Sequence, residues 1–272
     1  MAGHADPLKP LSWYKKLATK KGRLATGAFL VEGQRAIEQI QHRQPEAIQE
    51  LLTTVDERLI DWPYPCRRLT PSQIRTISST KTPQGMVAVV RLPMQTYEHQ
   101  LPPSYGQRLL FLEDIQDPGN VGTLIRTAAA FQFTGVLLTE KCADPFAPKC
   151  VQASAGTVLS LWLRRTGQSW DLVSRLQQWG YALVAATLEG QNDSAILSGP
   201  ARLILALGNE GAGLSSAVRQ AAQEHFTIPM DRHSCESLNV ATSGAICMYL
   251  STCRDSTTGP QGGWSGPCKW EK

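Results

Sequence analysis

The chain contains no apolar run near the ~18 residues needed to cross a bilayer, and no C-x-x-C pair. Its seven cysteines (Cys66, Cys142, Cys150, Cys235, Cys247, Cys253, Cys268) are odd in number and scattered, and its five histidines do not cluster beside them. A metal centre or a disulfide framework is therefore not expected, and the thiols read as reduced and mostly buried. The first residues, Met1 to Pro7, lack the basic and apolar regions of a secretory signal, so the expected location is cytoplasmic. The 18% charged and 42% hydrophobic fractions exclude wholesale disorder. At 272 residues there is room for one large domain or two ordinary ones.

What charge there is lies unevenly. Residues 1–99 hold 14 Lys and Arg against 9 Asp and Glu, a net +5, and the remainder holds 13 against 14, a net −1. The early excess gathers in Lys15, Lys16, Lys20, Lys21 and Arg23, around an amphipathic helix ending at about Arg23. Such a cluster favours a polyanion, although a solvated helix face would look the same.

The chain divides by rhythm. Residues 1–92 alternate short strand and helix signals: the apolar run Ala28 to Val31, helical spacing over Gln34 to Gln41, the cap-and-proline pair Thr70-Pro71, and the strand Met86 to Val90. Ala47 to Leu52 reads equally as strand or helix. Residues 93–107, with Pro93, Pro102, Pro103 and Gly106, read as a linker. Over 108–253, apolar runs at Leu109–Leu112, Val136–Leu138, Leu161–Leu163, Tyr181–Ala186 and Leu203–Leu207 alternate with helical segments. That alternation predicts an α/β domain with a parallel sheet covered on both faces. The final helix is expected from about Ser237 to Cys253, and residues 254–272 read as a disordered tail.

Three blocks of the second half carry chemistry. The first, Asp117-Pro118-Gly119-Asn120-Val121-Gly122 running to Arg126-Thr127-Ala128, follows a strand and opens a helix near Asn120. Six residues turn a helix by about 600°, so Asn120 and Arg126 converge only if Asn120 lies in the turn before it. Arg126 falls in an apolar stretch and needs a partner: a phosphate or carboxylate ligand, or an ion pair with Glu113 or Asp114. The second block, Gly208 to Gly213, is a glycine-rich strand-to-helix turn that matches neither the dinucleotide nor the triphosphate fingerprint. Glu210 within it suits a hydroxyl-rich or cationic ligand better than a phosphate, although a tight turn with an exposed Glu fits equally. In the third, Ile228-Pro229-Met230 precedes a loop and a helix whose start holds Ser237, a candidate N-cap, and Asn239, which either caps or faces a site.

In this order the three blocks resemble the motifs of the SpoU (TrmH-like) branch of the SPOUT methyltransferases. Phe29-Leu30-Val31-Glu32-Gly33 and Thr82-Pro83-Gln84-Gly85 are similar to the small, ribosomal-protein-like RNA-binding domain that many members carry ahead of the catalytic one. The resemblance implies a C-terminal parallel-sheet domain with a deep trefoil knot, a homodimer packed through it, and S-adenosyl-L-methionine as cofactor. It implies cofactor contacts at Thr187, Leu207, Gly208, Asn209, Gly211, Ile228, Met230 and Leu238. Asn120, Arg126, Glu210, Ser237 and Asn239 match the catalytic positions, and Lys15, Lys16, Lys20, Lys21, Arg23 and Arg126 would meet RNA. The reaction implied is methylation of a ribose 2′-hydroxyl in structured RNA, with 23S-type ribosomal RNA expected and transfer RNA the alternative. Two departures bear on the third block: Ala241 stands where a serine is usual, and the loop 231–236 is longer and lacks the usual glycine. An RNA-assembly protein with a vestigial methyltransferase domain is the rival from another class. Methylation of a base or of a protein fits the first block less well, and a dehydrogenase is excluded by the missing glycine fingerprint.

Overall fold

The computed structural model describes residues 9–55, 62–231 and 233–253; the tail expected at 254–272 lies outside them. The first part runs α1 (Leu11–Lys16), α2 (Lys20–Thr26), β1 (Ala28–Glu32), α3 (Gln34–Arg43), β2 (Ile48–Thr53), β3 (Cys66–Arg68), α4 (Pro71–Ile77) and β4 (Met86–Arg91). Its mixed sheet has the order β1-β4-β2-β3. The ambiguous segment after Ala47 becomes strand because Leu51 and Leu52 each bury a side chain and the segment pairs antiparallel with β4. The expected basic helix is instead two short ones. Thr19 ends the first by capping the second, its hydroxyl accepting the Gly22 N–H at 3.1 Å. Thr70 and Gln73 close a capping box on α4.

The second part runs β5 (Arg108–Leu112), α5 (Pro118–Ala130), β6 (Gly135–Thr139), α6 (Pro148–Ser154), β7 (Trp162–Thr166), α7 (Ser169–Gln178), β8 (Ala182–Gln191), α8 (Ala195–Ser198), β9 (Leu203–Leu207), α9 (Ser216–Ala221), β10 (Glu224–Phe226) and α10 (Val240–Leu250). The six strands form one all-parallel sheet, ordered β10-β8-β9-β5-β6-β7. Both faces are covered, so β9 is buried at every position (LILAL). α6 had no sequence signal; it is one short stretch that starts on Pro148 and lies against α5 where Gly122 leaves no room for a Cβ beside the Cys150 carbonyl. α10 returns from the sheet edge to pack on α5, with Gly244 against Leu124 and Leu207.

The two parts share a core. Phe29, Val31 and Ile37 of the first belong to the same buried cluster as Val121, Val136 and Leu205 of the second, and the Phe29 and Phe146 rings lie 4.9 Å apart. The segment read as a linker is packed rather than free. Met94–Tyr97 forms a 3-10 turn with Thr96 buried, and Tyr105 stacks on Trp179 at 5.3 Å. Among the described residues no helix is long and apolar enough to cross a membrane.

Candidate active site

Parallel strands deliver their loops to one edge, and the three blocks meet there. β5 ends at Leu112, after which the Glu113 carboxylate accepts the Ser215 N–H at 2.7 Å. Asp114 takes a φ of 56°, a left-handed conformation uncommon outside glycine. Thr139 holds it there: its hydroxyl accepts the Asp114 N–H at 2.9 Å and donates to the Asp114 carboxylate at 2.7 Å. The Asp114 carbonyl accepts from the Asn209 side-chain amide at 2.9 Å, while Asn209 Oδ1 accepts the N–H groups of Gly211 and Ala212. The second block is thus tied to the strand end that launches the first.

α5 begins at Pro118, with Asp117 as its N-cap. Asp117 Oδ1 accepts the Asn120 N–H at 3.0 Å, and Oδ2 pairs with Lys149 at 2.8 Å. The Lys149 ammonium, then the Asn120 N–H, hold the Asp117 carboxyl below its ordinary value. Asn120 donates from Nδ2 to Glu210 Oε1 at 2.7 Å and accepts at Oδ1 from Asn239 Nδ2 at 3.2 Å. Asn239 in turn caps α10, its Oδ1 accepting the N–H groups of Ala241 at 2.9 Å and Thr242 at 3.3 Å. One side chain from each block therefore joins a continuous network, Glu210–Asn120–Asn239. Asn239 does both things the sequence left open: it caps the helix with one amide atom and faces the site with the other.

Several expectations are corrected. The last helix starts at Val240, so Asn239 and not Ser237 is its cap. Ser237 lies exposed in the preceding loop, where its carbonyl accepts from the Cys235 thiol. Asn120 sits inside α5 rather than before it, so Arg126 is turned to another face, and the two do not converge within one chain. Arg126 is exposed and has no hydrogen-bond or ion-pair partner among the described residues. Glu113 is committed to Ser215, and Asp114 to Thr139 and to Lys141 at 3.3 Å, so neither pairs with Arg126. Glu210 is engaged by Asn120. Of the basic cluster, Lys15, Lys16, Lys20 and Lys21 are exposed on α1 and α2. Arg23 is not a surface cation: it is 2% exposed, with Nη2 2.6 Å from Asp144 Oδ2 and Nη1 donating to the carbonyls of Leu17 and Ala18. Helical spacing placed it on the inward face, where it joins the two parts of the chain.

The expected cofactor positions lie at the C-terminal ends of three neighbouring strands. Thr187 is on β8, Leu207 and Gly208 end β9, Ile228 and Met230 follow β10, and half-buried Leu238 precedes Asn239. At Gly208 a Cβ would run into the Gly213 and Leu214 backbone, so only glycine allows this fold of the loop. Half-buried Ile228, Met230 and Leu238 supply apolar walls, and exposed Glu210 supplies a negative charge. That donor set fits a cationic sulfonium joined to an adenosyl group, and it opposes a polyphosphate. Of the residues that set this geometry, Lys149 gives no sequence signal, Glu113 and Asp114 are expected only as candidate partners of Arg126, and Asp117 only as the start of the first block. Asp117-Pro118 is a cap followed by a first-turn proline, and that signal could have fixed the start of α5 and the place of Asn120.

Residues 107–249 match the SpoU rRNA Methylase family, and residues 12–88 match the MRM3-like substrate binding domain. The chain is 30% identical over 240 residues to the 23S rRNA (guanosine(2553)-2′-O)-methyltransferase RlmP of Bacillus subtilis, covering 87% of this chain and 93% of that one. It is 27% identical over 252 residues to a 23S rRNA (uridine(2479)-2′-O)-methyltransferase of Streptomyces viridochromogenes, covering 87% and 86%. Among solved structures, a TrmH-family protein from Porphyromonas gingivalis superposes with a TM-score of 0.77 at 31% identity, over 90% of this chain and 98% of that one. The SpoU methyltransferase AviRb of Streptomyces viridochromogenes, crystallised with S-adenosyl-L-methionine, superposes with a TM-score of 0.73 at 27% identity, over 89% and 96%. The sheet order, the three-block network and these matches agree: the chain belongs to the SpoU (TrmH-like) family of S-adenosyl-L-methionine-dependent RNA 2′-O-methyltransferases.

Proposed function

We propose that this RNA 2′-O-methyltransferase modifies a ribose of 23S-type ribosomal RNA in the cytoplasm, acting as a homodimer. The observation that carries the reading is the Glu210–Asn120–Asn239 network at the edge where β5 and β9 end. Ribosomal RNA is favoured over transfer RNA by the substrate named for the Bacillus subtilis relative, which aligns over nearly its whole length. The knot belongs to the same reading, and the return of α10 from beyond β10 onto α5 and β9 supports it.

The cofactor, held at Thr187, Leu207–Gly211, Ile228, Met230 and Leu238, supplies an electrophilic methyl group. The chain's own residues hold the ribose oxygen in line and exclude water from it. Asn120 is clamped between Glu210 and Asn239, so its amide is fixed before RNA arrives. Ser237, with its hydroxyl unbonded two residues before the cap, positions the cofactor's polar end. A guanidinium offers hydrogen-bond donors and no acceptor, so Arg126 does not serve as the base. Its fork instead grips the phosphate beside the target nucleotide and lowers the hydroxyl's pKa, and the proton leaves to that phosphate or to water. Because Arg126 faces away from Asn120 and has no partner among the described residues, it serves the site of the second subunit. Lys15, Lys16, Lys20 and Lys21 contact RNA phosphates from the first domain.

The test is methyl transfer from labelled S-adenosyl-L-methionine to separated 23S, 16S and transfer RNA, followed by nucleoside analysis. Label in 2′-O-methyl nucleosides of 23S RNA is expected. Label in bases, or only in transfer RNA, would overturn the reading.

A further inference from the structure

A second cleft lies at the opposite end of the parallel sheet, where β6 and β7 begin. It has a volume of about 440 Å³ and is walled by three stretches of chain: Gln44 after α3, Pro93, Gln95 and Thr96 of the connecting segment, and Thr134 with Val158 to Arg164. Arg164 lines it while only 7% exposed. Its Nε donates to the Gln100 carbonyl at 2.5 Å and Nη1 to its neighbour's carbonyl, Leu163, at 2.8 Å; among the described residues Nη2 makes no hydrogen bond. No carboxylate comes within ion-pair distance of this guanidinium among the described residues. Burial pulls its pKa below the ordinary arginine value, and Glu98 offsets part of that pull from farther away. Thr96 lines the same wall, and its hydroxyl makes no hydrogen bond among the described residues. Arg164 thus faces the cleft with carbonyl oxygens as its only protein partners among the described residues, beside the Thr96 hydroxyl, an arrangement with donors to spare for an anion.

We propose that this cleft binds a phosphate-bearing ligand, with Arg164 supplying the charge and Thr96, Ser160 and Gln95 the neutral donors. Arginine's planar fork still has one terminal nitrogen to offer, which suits a tetrahedral oxyanion. The ligand is either a backbone phosphate of RNA or a free phosphate compound, and the chemistry that holds it is the same. Because the walls come from the first domain, the connecting segment and the catalytic domain, the occupant braces the joint between them.

The experiment is an amide NMR titration of the full chain with inorganic phosphate, repeated for Gln95→Glu and Arg164→Lys. Gln95 is exposed, so its substitution places a negative charge at the rim without disturbing the core. Saturable shifts are expected at Thr96, Ser160 and Arg164. Gln95→Glu should weaken binding roughly tenfold, as a like charge a few ångströms away would. Arg164→Lys should weaken it also, provided its remaining spectrum matches the wild type. Absence of saturable shifts at these amides, shifts confined to other places, or undiminished affinity in Gln95→Glu would each overturn the proposal. Competition then separates the sources: displacement of phosphate by a 23S RNA fragment assigns the site to RNA, and displacement by adenosine monophosphate alone assigns it to a free nucleotide.

Discussion

Replacing Arg23 by Met should destabilise the protein strongly while leaving its affinity for RNA nearly unchanged. The guanidinium and the Asp144 carboxylate are 2% and 9% exposed and 2.6 Å apart, so the modest value of a surface ion pair does not apply. Removing Arg23 leaves Asp144 with only the Tyr97 hydroxyl at 2.9 Å and the Phe146 N–H at 3.0 Å, and it strips a donor from the Leu17 and Ala18 carbonyls. Truncating one partner of a buried pair typically costs about 3–5 kcal/mol, and the lower half of that range is expected because two donors still reach Asp144. Asp144→Leu in the same chain should restore much of the loss, since the unpaired charge is then gone. The assay is urea unfolding followed by tryptophan fluorescence, comparing midpoint and slope because two coupled domains need not unfold as one. RNA affinity is measured against salt in parallel. Lys20→Ala should lower the salt slope by about one, and Arg23→Met should not. A variant within about 0.5 kcal/mol of wild type but with a slope lowered by one would place Arg23 against RNA and refute this reasoning.

Other outcomes follow from the same geometry. Asn239→Asp keeps the oxygen that caps α10 but loses the donor to Asn120, so thermal stability should change little while methyl transfer falls sharply; Asn239→Ala should also cost about 0.5–2 kcal/mol. Gly208→Ala should abolish calorimetric binding of S-adenosyl-L-methionine, because the new methyl group meets the Gly213 and Leu214 backbone. Mixing Arg126→Ala with Asn120→Ala chains should restore activity that neither has alone, since a mixed dimer rebuilds one complete site only if Arg126 acts across the interface. The Asp117 carboxyl is held below its ordinary value, so its cap and its pairing with Lys149 are fully present above the ordinary carboxylate range and are lost as the pH falls through the lowered one. Asp117→Asn should flatten that acid limb in a pH series of unfolding midpoints.

Much of the fold was legible because it rests on local signals. The five apolar runs of the second half are strands because a parallel sheet buries both faces, and Thr70-Pro71 capped α4 as its residue types dictate. What escaped had either too little sequence or two valid local solutions. α6 is seven residues with no periodicity, and Ala47–Leu52 became strand only through pairing with β4. The site was legible as three blocks, and they do converge. Asn239 could not be divided into cap and donor from sequence, because that depends on where Asn120 lies across the fold. Arg23 misled for a related reason. Its charge pointed to RNA, while its partner, Asp144, stands 121 residues away.

The central claim is tested most directly by mapping 2′-O-methyl groups along 23S rRNA from cells lacking the gene, complemented with the wild-type chain or with Asn239→Asp. The account predicts one ribose that loses its methyl group in the deletion, regains it with the wild-type chain and does not regain it with Asn239→Asp. An unchanged 23S map, or full restoration by Asn239→Asp, would contradict it.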